Sequence, residues 1–283
     1  MQGLVNYQAI FERAFASTLQ KVKGGQKSGV DWDTVANMYN EMTSMEAGST
    51  LNLLSLLPLS KEDSVLDVGC GPARLSVPLA KKVKSVSALD SFAKMLEYAK
   101  QNAKQAGVDN INFIQKSWSD EEAVKDLPKH DIVIASRSLG LFDIKKLCKF
   151  AKKYVVMTSF LMDHPSLKTF WQDFLEDIKE NEEEHGLNDR NFSYNLIFNI
   201  VYDMGANPNL RIVDTVYEKD FASLEEAFSY FRFVGEIAPQ KEEIYKRNVE
   251  KYLTKTNDGY KFKRATKSYL IWWDVREIKD KFE

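Results

Sequence analysis

Between residues 64 and 158, five short apolar segments alternate with segments of helical periodicity. Most of the five are apolar at every position rather than at alternate positions, which is typical of strands in a sheet covered on both faces. This alternation predicts an α/β fold with a doubly wound, Rossmann-like, mostly parallel sheet. Strand-like segments at 211–217 and 266–274 bring the expected total to about seven strands, the last of them antiparallel. Helices are predicted before residue 60.

The composition excludes several classes of protein. The net charge is -2, so the chain has no basic excess of the kind that drives binding to nucleic acid. Two cysteines, Cys70 and Cys148, are too few for a disulfide framework or a four-cysteine zinc site. No stretch approaches the ~18 apolar residues of a membrane span, and the N-terminus lacks the order of a secretory signal. We therefore expect a cytoplasmic protein with neither a metal nor a membrane partner.

The first apolar segment leads directly into the turn Gly-Cys-Gly-Pro at 69–72, before a helix predicted at 72–82. Gly69 and Gly71 permit a tight turn and let a ligand approach the backbone, whose free N–H groups favour a carboxylate or phosphate. Asp67 precedes this turn, where an acid would repel the phosphates of a dinucleotide and attract a cation. Asp90 ends the second strand, 19 positions after Gly71. This spacing fits a carboxylate that accepts hydrogen bonds from ribose hydroxyls.

Residues 65–160 resemble the class I S-adenosylmethionine-dependent methyltransferases. Four segments carry the resemblance: Leu66–Pro72, Ala88–Asp90, Phe113–Trp118 and Asp131–Ser136. The resemblance implies that S-adenosylmethionine is the cofactor and that the chain transfers its methyl group. An alternative, a nicotinamide-dependent oxidoreductase, is disfavoured by Asp67 and by Arg74, which stands where the nicotinamide fingerprint has Gly or Ala.

The resemblance also implies roles for individual residues. The methionine part of the cofactor would be lined by Asp67, Gly69, Cys70 and Gly71, and its ribose would be bound by Asp90. The adenine would be flanked by Ser91 and Phe92, with Ser117 and Trp118 at its edge. Ser117 is a departure, because many relatives carry an aspartate before this position. The donor methyl group would lie near Ser136, Arg137 and Ser138.

The sequence divides into four predicted parts. Residues 1–60 form an N-terminal helical lid segment, and 61–160 form the cofactor-binding half of the α/β domain. Residues 161–209 form a helical insertion that caps the substrate, and 210–283 complete the α/β domain. The candidates for a catalytic role are Tyr39 in the lid, Arg137 after the fourth strand and His164 just past the fifth. For each, a structural role stays open: core packing for Tyr39 and a surface ion pair for Arg137.

A small molecule is the favoured methyl acceptor, with no nucleic-acid partner. Residues 136–139 lack the Asn/Asp-Pro-Pro-aromatic motif of relatives that methylate DNA amino groups. Two alternatives stay open. One is an RNA methyltransferase that uses the basic segment 241–267, which holds nine basic and four acidic residues. The other is a protein that binds S-adenosylmethionine without transferring its methyl group.

Overall fold

The computed structural model describes residues 5–16, 31–161, 171–178 and 193–279. The helices that precede the sheet are α1 (Tyr7–Ala14), α2 (Trp32–Met45) and α3 (Ala47–Ser55). The alternating part contains β1 (Ser64–Val68), α4 (Ser76–Ala80), β2 (Ser85–Asp90), α5 (Ala93–Gln105), β3 (Ile111–Gln115), α6 (Glu121–Val124), β4 (His130–Ser136), α7 (Ile144–Phe150) and β5 (Ala151–Phe160). The last part contains α8 (Tyr194–Asp203), β6 (Asn209–Phe221), α9 (Leu224–Tyr230), α10 (Glu242–Glu250), β7 (Leu253–Thr256) and β8 (Gly259–Asp274).

The eight strands form one sheet in the order β3-β2-β1-β4-β5-β8-β6, and β7 pairs with β8. Strands β1 to β5 run parallel to one another, whereas β8 is antiparallel to β5, β6 and β7. The predicted α/β fold, with its parallel sheet and antiparallel last strand, is confirmed. The strand order changes direction at β1, between β2 and β4, and in open α/β sheets ligands bind at such a point.

Both faces of the parallel strands are buried, which explains why they are apolar at every position. Leu66 and Val133 face a core that α1, α7 and α8 cover, whereas Val65 and Ile132 face a core that α3 and α4 cover. Successive side chains of a strand point to opposite faces, so a strand covered on both sides has no polar positions to alternate with. The sheet is therefore held by two apolar layers, and polar groups collect at its carboxyl edge.

Strands β6 and β8 are longer than the sequence predicted, with 13 and 16 residues. Beyond the main sheet they pair with each other and cover a separate aromatic core together with α9 and α10. In this extension buried residues such as Phe262 alternate with exposed ones such as Lys263. Because only one face of the extension is buried, its sequence lacks a continuous apolar run like the one at 269–273, and the extension was not predicted as strand.

The chain after β1 does not enter a helix at residue 72 as predicted. Gly71 and Ala73 have φ values of 54° and 67°, which a right-handed helix cannot accommodate. Residues 71–75 form turns, and α4 has only five residues, with Pro78 at its centre. The backbone at this edge is thus an irregular loop rather than a helix N-terminus.

The predicted substrate cap, 161–209, is described only at 161, 171–178 and 193–209. Within it, α8 packs on one face of the sheet through Leu196, Ile197 and Val201, which belong to the core that α1 also covers. Residues 173–175 form a 3-10 helix within this predicted insertion. His164 lies outside the described residues.

Candidate functional site

Gly69 and Gly71 occupy two positions of a turn that favour glycine. Both have positive φ, at 72° and 54°. A Cβ on Gly69 would lie 2.4 Å from the Cβ of Ser138, which is closer than real side chains approach. The N–H groups of Gly69 and Cys70 both donate to the carbonyl of Leu89, at 2.8 and 3.0 Å. These bonds hold the turn against the end of β2.

Asp90 links the ends of β1 and β2. Its carboxylate accepts hydrogen bonds from the N–H groups of Gly71, at 2.9 Å, and Phe92, at 3.0 Å. The side chain is 8% exposed, and burial raises its pKa even though these backbone bonds favour the ionised form. The two amides leave lone pairs of both oxygens available.

Asp67 is a second buried acid beside the same turn. It is 1% exposed, and its Oδ2 accepts a hydrogen bond from the hydroxyl of Ser76 at 2.6 Å. Burial raises the pKa of Asp67 to about 6, and the negative charge of Asp90 adds to this effect against the positive charge of Arg74. A cation placed between the two acids would offset the cost of holding them ionised in a buried site.

Cys70 lies between the two glycines as a buried free thiol. Burial, with the charges of Asp67 and Asp90, holds its pKa well above the ordinary value, so the side chain is an uncharged wall of the site. A thiol in this state is not activated as a nucleophile.

The residues predicted around the adenine occupy two different environments. Ser91 and Phe92 follow β2 directly, and the N–H of Lys116 donates to the Asp90 carbonyl at 3.1 Å, which brings the end of β3 alongside. Ser117 is partly buried, and its hydroxyl lies 2.9 Å from that of Ser119. Trp118, by contrast, is 5% exposed and belongs to the core on the α1 side of the sheet.

The ring of Trp118 is held there by its neighbours. It meets the ring of Phe150 edge-on at 5.5 Å, and the Lys146 ammonium lies 4.6 Å from its centroid. The same ammonium donates to the carbonyl of Trp118 at 2.6 Å. This packing fixes the chain after β3, and the role of Trp118 toward adenine stays a prediction.

Helix α2 lies beside the glycine turn. Three polar side chains of this helix accept hydrogen bonds from α5: Asp33 from the Lys94 N–H, Asn37 from the Tyr98 hydroxyl and Asn40 from the Asn102 side-chain amide. The Asn102 amide also donates to the carbonyl of Pro72, which links α5 to the turn. On the same helix, Tyr39 Cε1 is 3.5 Å from where a Cβ of Gly71 would lie. Trp32 packs edge-on against Tyr39 at 5.3 Å. The structure therefore brings Tyr39 to the predicted site.

A buried ionic cluster, Glu46 with Arg74 and Arg137, closes the site at the end of β4. Glu46 accepts two hydrogen bonds from the Arg137 guanidinium, at 2.6 and 2.9 Å, and lies 3.5 Å from Nε of Arg74. Burial alone would raise the pKa of Glu46, but the charges of Arg137 and Arg74 outweigh it and lower the pKa. The hydroxyl of Ser136 accepts from Arg74 at 2.5 Å, so this predicted residue borders the cluster.

Arg137 is therefore paired inside the protein rather than at its surface. Its guanidinium also donates to the hydroxyl of Tyr217 at 3.3 Å and packs 3.8 Å from the ring centroid of Phe160. Sequence reasoning missed Glu46 and Tyr217, which lie 91 and 80 residues away from Arg137. No local pattern marks such a pair, because only folding brings its members together.

The carboxyl edge thus fits S-adenosylmethionine. Two buried acids flank a turn that has glycines at 69 and 71, and a sulfonium cation would balance their charges. Among the described residues, no group of three or more His, Cys, Asp or Glu is placed to bind a metal ion. In the same part of the chain, no helix combines the length and apolar character needed to cross a membrane.

Comparison with known proteins agrees with this geometry. The model of the family described as "Methyltransferase domain" matches residues 59–251. An uncharacterized protein of Haemophilus influenzae is 30% identical over 264 residues, which cover 88% of this chain and 90% of that protein. The 23S rRNA (uracil(1939)-C(5))-methyltransferase RlmD of Aliivibrio fischeri is 43% identical, but only over 68 residues, 24% of this chain and 16% of that enzyme.

Among solved structures, precorrin 8w decarboxylase of Methanobacterium thermoautotrophicum aligns with a TM-score of 0.47 and 16% identity, covering 80% of this chain and 89% of that one. The magnesium protoporphyrin IX methyltransferase of Synechocystis PCC 6803, crystallised with bound SAH, aligns with a TM-score of 0.42 and 16% identity over 95% and 99% of the two chains. The family model matches well over half of the chain. The chain therefore belongs to the Methyltransferase domain family and is an S-adenosylmethionine-dependent methyltransferase.

Proposed function

We propose that this enzyme methylates a small molecule. The observation that carries the proposal is ion pairing in the basic segment 241–267, which involves five of its nine cations. Five of its cations form ion pairs with acids: Lys246 with Glu243, Lys251 with Glu176, Lys261 with Glu218, Arg264 with Asp173, and Lys267 with Asp214. A surface that binds RNA needs cations available to phosphates, and these five already lie beside carboxylates.

The similarity to RlmD does not favour RNA over a small molecule. The shared part is 68 residues in the enzyme of Aliivibrio fischeri, about a sixth of its length, and 115 residues in that of Haemophilus influenzae, a quarter of its length. A segment that short carries no information on the acceptor, since fold and cofactor binding are shared by enzymes with unrelated substrates.

We further propose how the site's residues act on the cofactor. Asp67, Gly69 and Gly71 hold its methionine part, Asp90 binds the ribose, and Tyr39 covers the glycine turn. When bound, S-adenosylmethionine supplies a methyl carbon whose bond to sulfur breaks, with both electrons going to sulfur, as a lone pair of the acceptor bonds to that carbon. The protein orients the two partners and excludes water, effects worth up to about 7–11 kcal/mol in favourable cases.

Titration calorimetry tests the cofactor roles. We expect S-adenosylmethionine to bind the wild type, and Asp90→Ala to weaken binding by at least about tenfold, because one to two charge-assisted hydrogen bonds are lost. Asp109→Ala, at an exposed site on the loop before β3, is the matched control and should bind like the wild type. Equal affinities in all three proteins would contradict the assigned role of Asp90.

Methyl-labelled S-adenosylmethionine tests the acceptor class. The full chain is incubated with a cell extract separated into a small-molecule filtrate and total RNA, and the control reaction contains no protein. Label in a compound of the filtrate supports the proposal. Label in RNA would overturn it in favour of an RNA methyltransferase. Cofactor binding without release of S-adenosylhomocysteine from either fraction would instead favour a protein that binds the cofactor without transfer.

A further inference from the structure

A pocket opens at the carboxyl ends of β4 and β5, against helices α1 and α8. Its walls include Phe142, which follows β4, and Ser159 and Phe160, which end β5. It is partly open to solvent, with a cavity volume of about 90 Å³. The carboxyl edge is where α/β sheets bind ligands.

The turn 138–142 connects this pocket to the glycine turn. Ser138, at its start, lies against Gly69 so closely that a Cβ there would clash. Its last two residues line the pocket. Phe160 lines the pocket as well and also packs under the guanidinium of Arg137. The turn 138–142 therefore lies between the pocket and the glycine turn.

The walls of the pocket suit rings without charge. Five aromatic side chains line it: Phe11, Phe15, Phe142, Phe160 and Tyr269. The rings of Phe11, Phe15 and Phe142 already pack together at centroid distances of 4.8 to 6.4 Å. Every lining residue within the described part of the chain is uncharged. An ionised ligand group would lose its hydration there without gaining an oppositely charged partner among these described residues.

One polar atom in the wall has no partner. The hydroxyl of Ser193 lies in the pocket lining, its residue is 8% exposed, and it forms no hydrogen bond within the protein. A buried hydroxyl without a partner is unfavourable, and native structures usually satisfy such groups. Ser159, on the wall formed by β5, is a second hydroxyl in the lining. The pocket can thus satisfy one polar group on an otherwise apolar ligand.

We propose that this pocket binds the methyl acceptor, and that the acceptor is an uncharged, ring-bearing molecule with a hydroxyl or aromatic amine group that hydrogen-bonds to Ser193. This inference rests on the proposed small-molecule function. Three features of the site point to this ligand class: aromatic walls, uncharged side chains at all the described lining residues, and one unsatisfied buried hydroxyl.

Three probes of similar shape test the ligand class on the full chain: 2-naphthol, naphthalene and 2-naphthoate. We expect 2-naphthol to bind most tightly by calorimetry. Naphthalene should bind about 5- to 10-fold more weakly, which is the worth of one hydrogen bond. 2-Naphthoate should bind weakest, because its carboxylate would be buried unpaired. Binding of 2-naphthoate as tight as that of 2-naphthol would overturn the proposal, as would a Kd above about 1 mM for all three.

Two substitutions locate the binding. Ile197→Trp places a large ring in the lining and should abolish 2-naphthol binding, whereas Ile212→Trp, the same change at a residue 42% exposed on β6, should not. Ser193→Ala should lower the affinity for 2-naphthol to that for naphthalene, whereas Ser55→Ala, at an exposed serine, should leave both unchanged. Unchanged binding in Ile197→Trp would place the probe elsewhere and refute the assignment.

Binding of S-adenosylmethionine is measured for every variant and should match the wild type, which shows that each one is folded. If Ile197→Trp fails this check, Ser159→Phe fills the pocket from the opposite wall in its place. These results and those of the acceptor experiment test different proposals. Methyl label in RNA would contradict the small-molecule function. An unexpected order of affinities among the three probes would contradict only the ligand class proposed for the pocket.

Discussion

Replacement of Asp67 by Asn should stabilise the protein while weakening its cofactor binding. Burial raises the pKa of Asp67 from 3.8 to about 6. At about 1.36 kcal/mol per pKa unit, keeping this carboxylate ionised destabilises the folded state by about 3 kcal/mol above pH 6. An Asn keeps the hydrogen bond from Ser76 but buries an amide N–H, which costs about 1 kcal/mol. The expected net gain at pH 8 is about 2 kcal/mol.

The sign of the pH dependence follows from where the proton is held. Between about pH 3.8 and pH 6 the folded state holds a proton on Asp67 that the unfolded chain has lost, so the wild type loses stability as the pH rises through this range. The Asn variant has no such group. Its advantage should therefore be full at pH 8 and vanish near about pH 4.5, where the remaining penalty of about 1 kcal/mol equals the cost of the amide.

Urea unfolding of the cofactor-free protein at several pH values measures this difference. Asp109→Asn, at an exposed site, is the control and should change the free energy of unfolding by less than about 0.5 kcal/mol at every pH. In parallel, S-adenosylmethionine should bind Asp67→Asn about 10- to 100-fold more weakly. Wild-type affinity should itself fall as the pH drops below 6, because the proton competes with the cation. A variant less stable than the wild type at pH 8, or an advantage independent of pH, would refute the reasoning.

Three further substitutions test the turn, the ionic cluster and the lid. Gly69→Ala should lower the free energy of unfolding by about 2–4 kcal/mol in urea, because the new Cβ would clash and the φ of this residue is positive. The control Gly48→Ala, in open space on α3, should raise it by about 0.5–1 kcal/mol. Similar effects at both sites would contradict the close approach of Gly69 to Ser138. Glu46→Gln should lower the free energy of unfolding by about 3–5 kcal/mol, since it leaves buried guanidinium groups without their carboxylate. The control Glu122→Gln, in an exposed ion pair, should lower it by at most about 0.5 kcal/mol. Equal losses would show that burial of the ion pair does not matter. Tyr39→Ala should weaken cofactor binding about tenfold, a loss of about 1.4 kcal/mol in binding free energy. Tyr39→Phe keeps the ring and should therefore keep the affinity. Weaker binding in both variants would assign the effect to the hydroxyl.

The irregular loop after β1 shows where sequence reasoning is limited. The glycines at 69 and 71 predict a turn, and the structure has one. The helix predicted from residue 72 begins only at Ser76, because Ala73 also adopts a positive φ. Alanine ordinarily favours a helix. Its two neighbours are held by distant parts of the chain: the Pro72 carbonyl accepts from Asn102, and Arg74 donates to Thr50 and Ser136.

The cofactor edge and the acceptor side differ in how much the sequence reveals. Asp67, the two glycines and Asp90 belong to two strands adjacent in the chain, and their spacing follows from strand length and turn geometry. In the ionic cluster, Glu46 lies 28 residues from Arg74 and 91 residues from Arg137. The pocket that contains Ser193 joins segments as far apart as Phe11 and Tyr269, a separation of 258 residues. No periodicity relates such residues.

The sequence by itself determined the layered architecture, because strands buried on both faces must be apolar throughout and must alternate with the helices that cover them. It also determined the two acids and the glycine turn, since these lie within single strand-to-helix connections. Only the tertiary structure decided that Arg137 pairs with Glu46 and that an aromatic pocket opens beside it. Those contacts depend on how α1, α2 and α8 pack against the sheet, and packing depends on shape complementarity between segments that are distant in the chain.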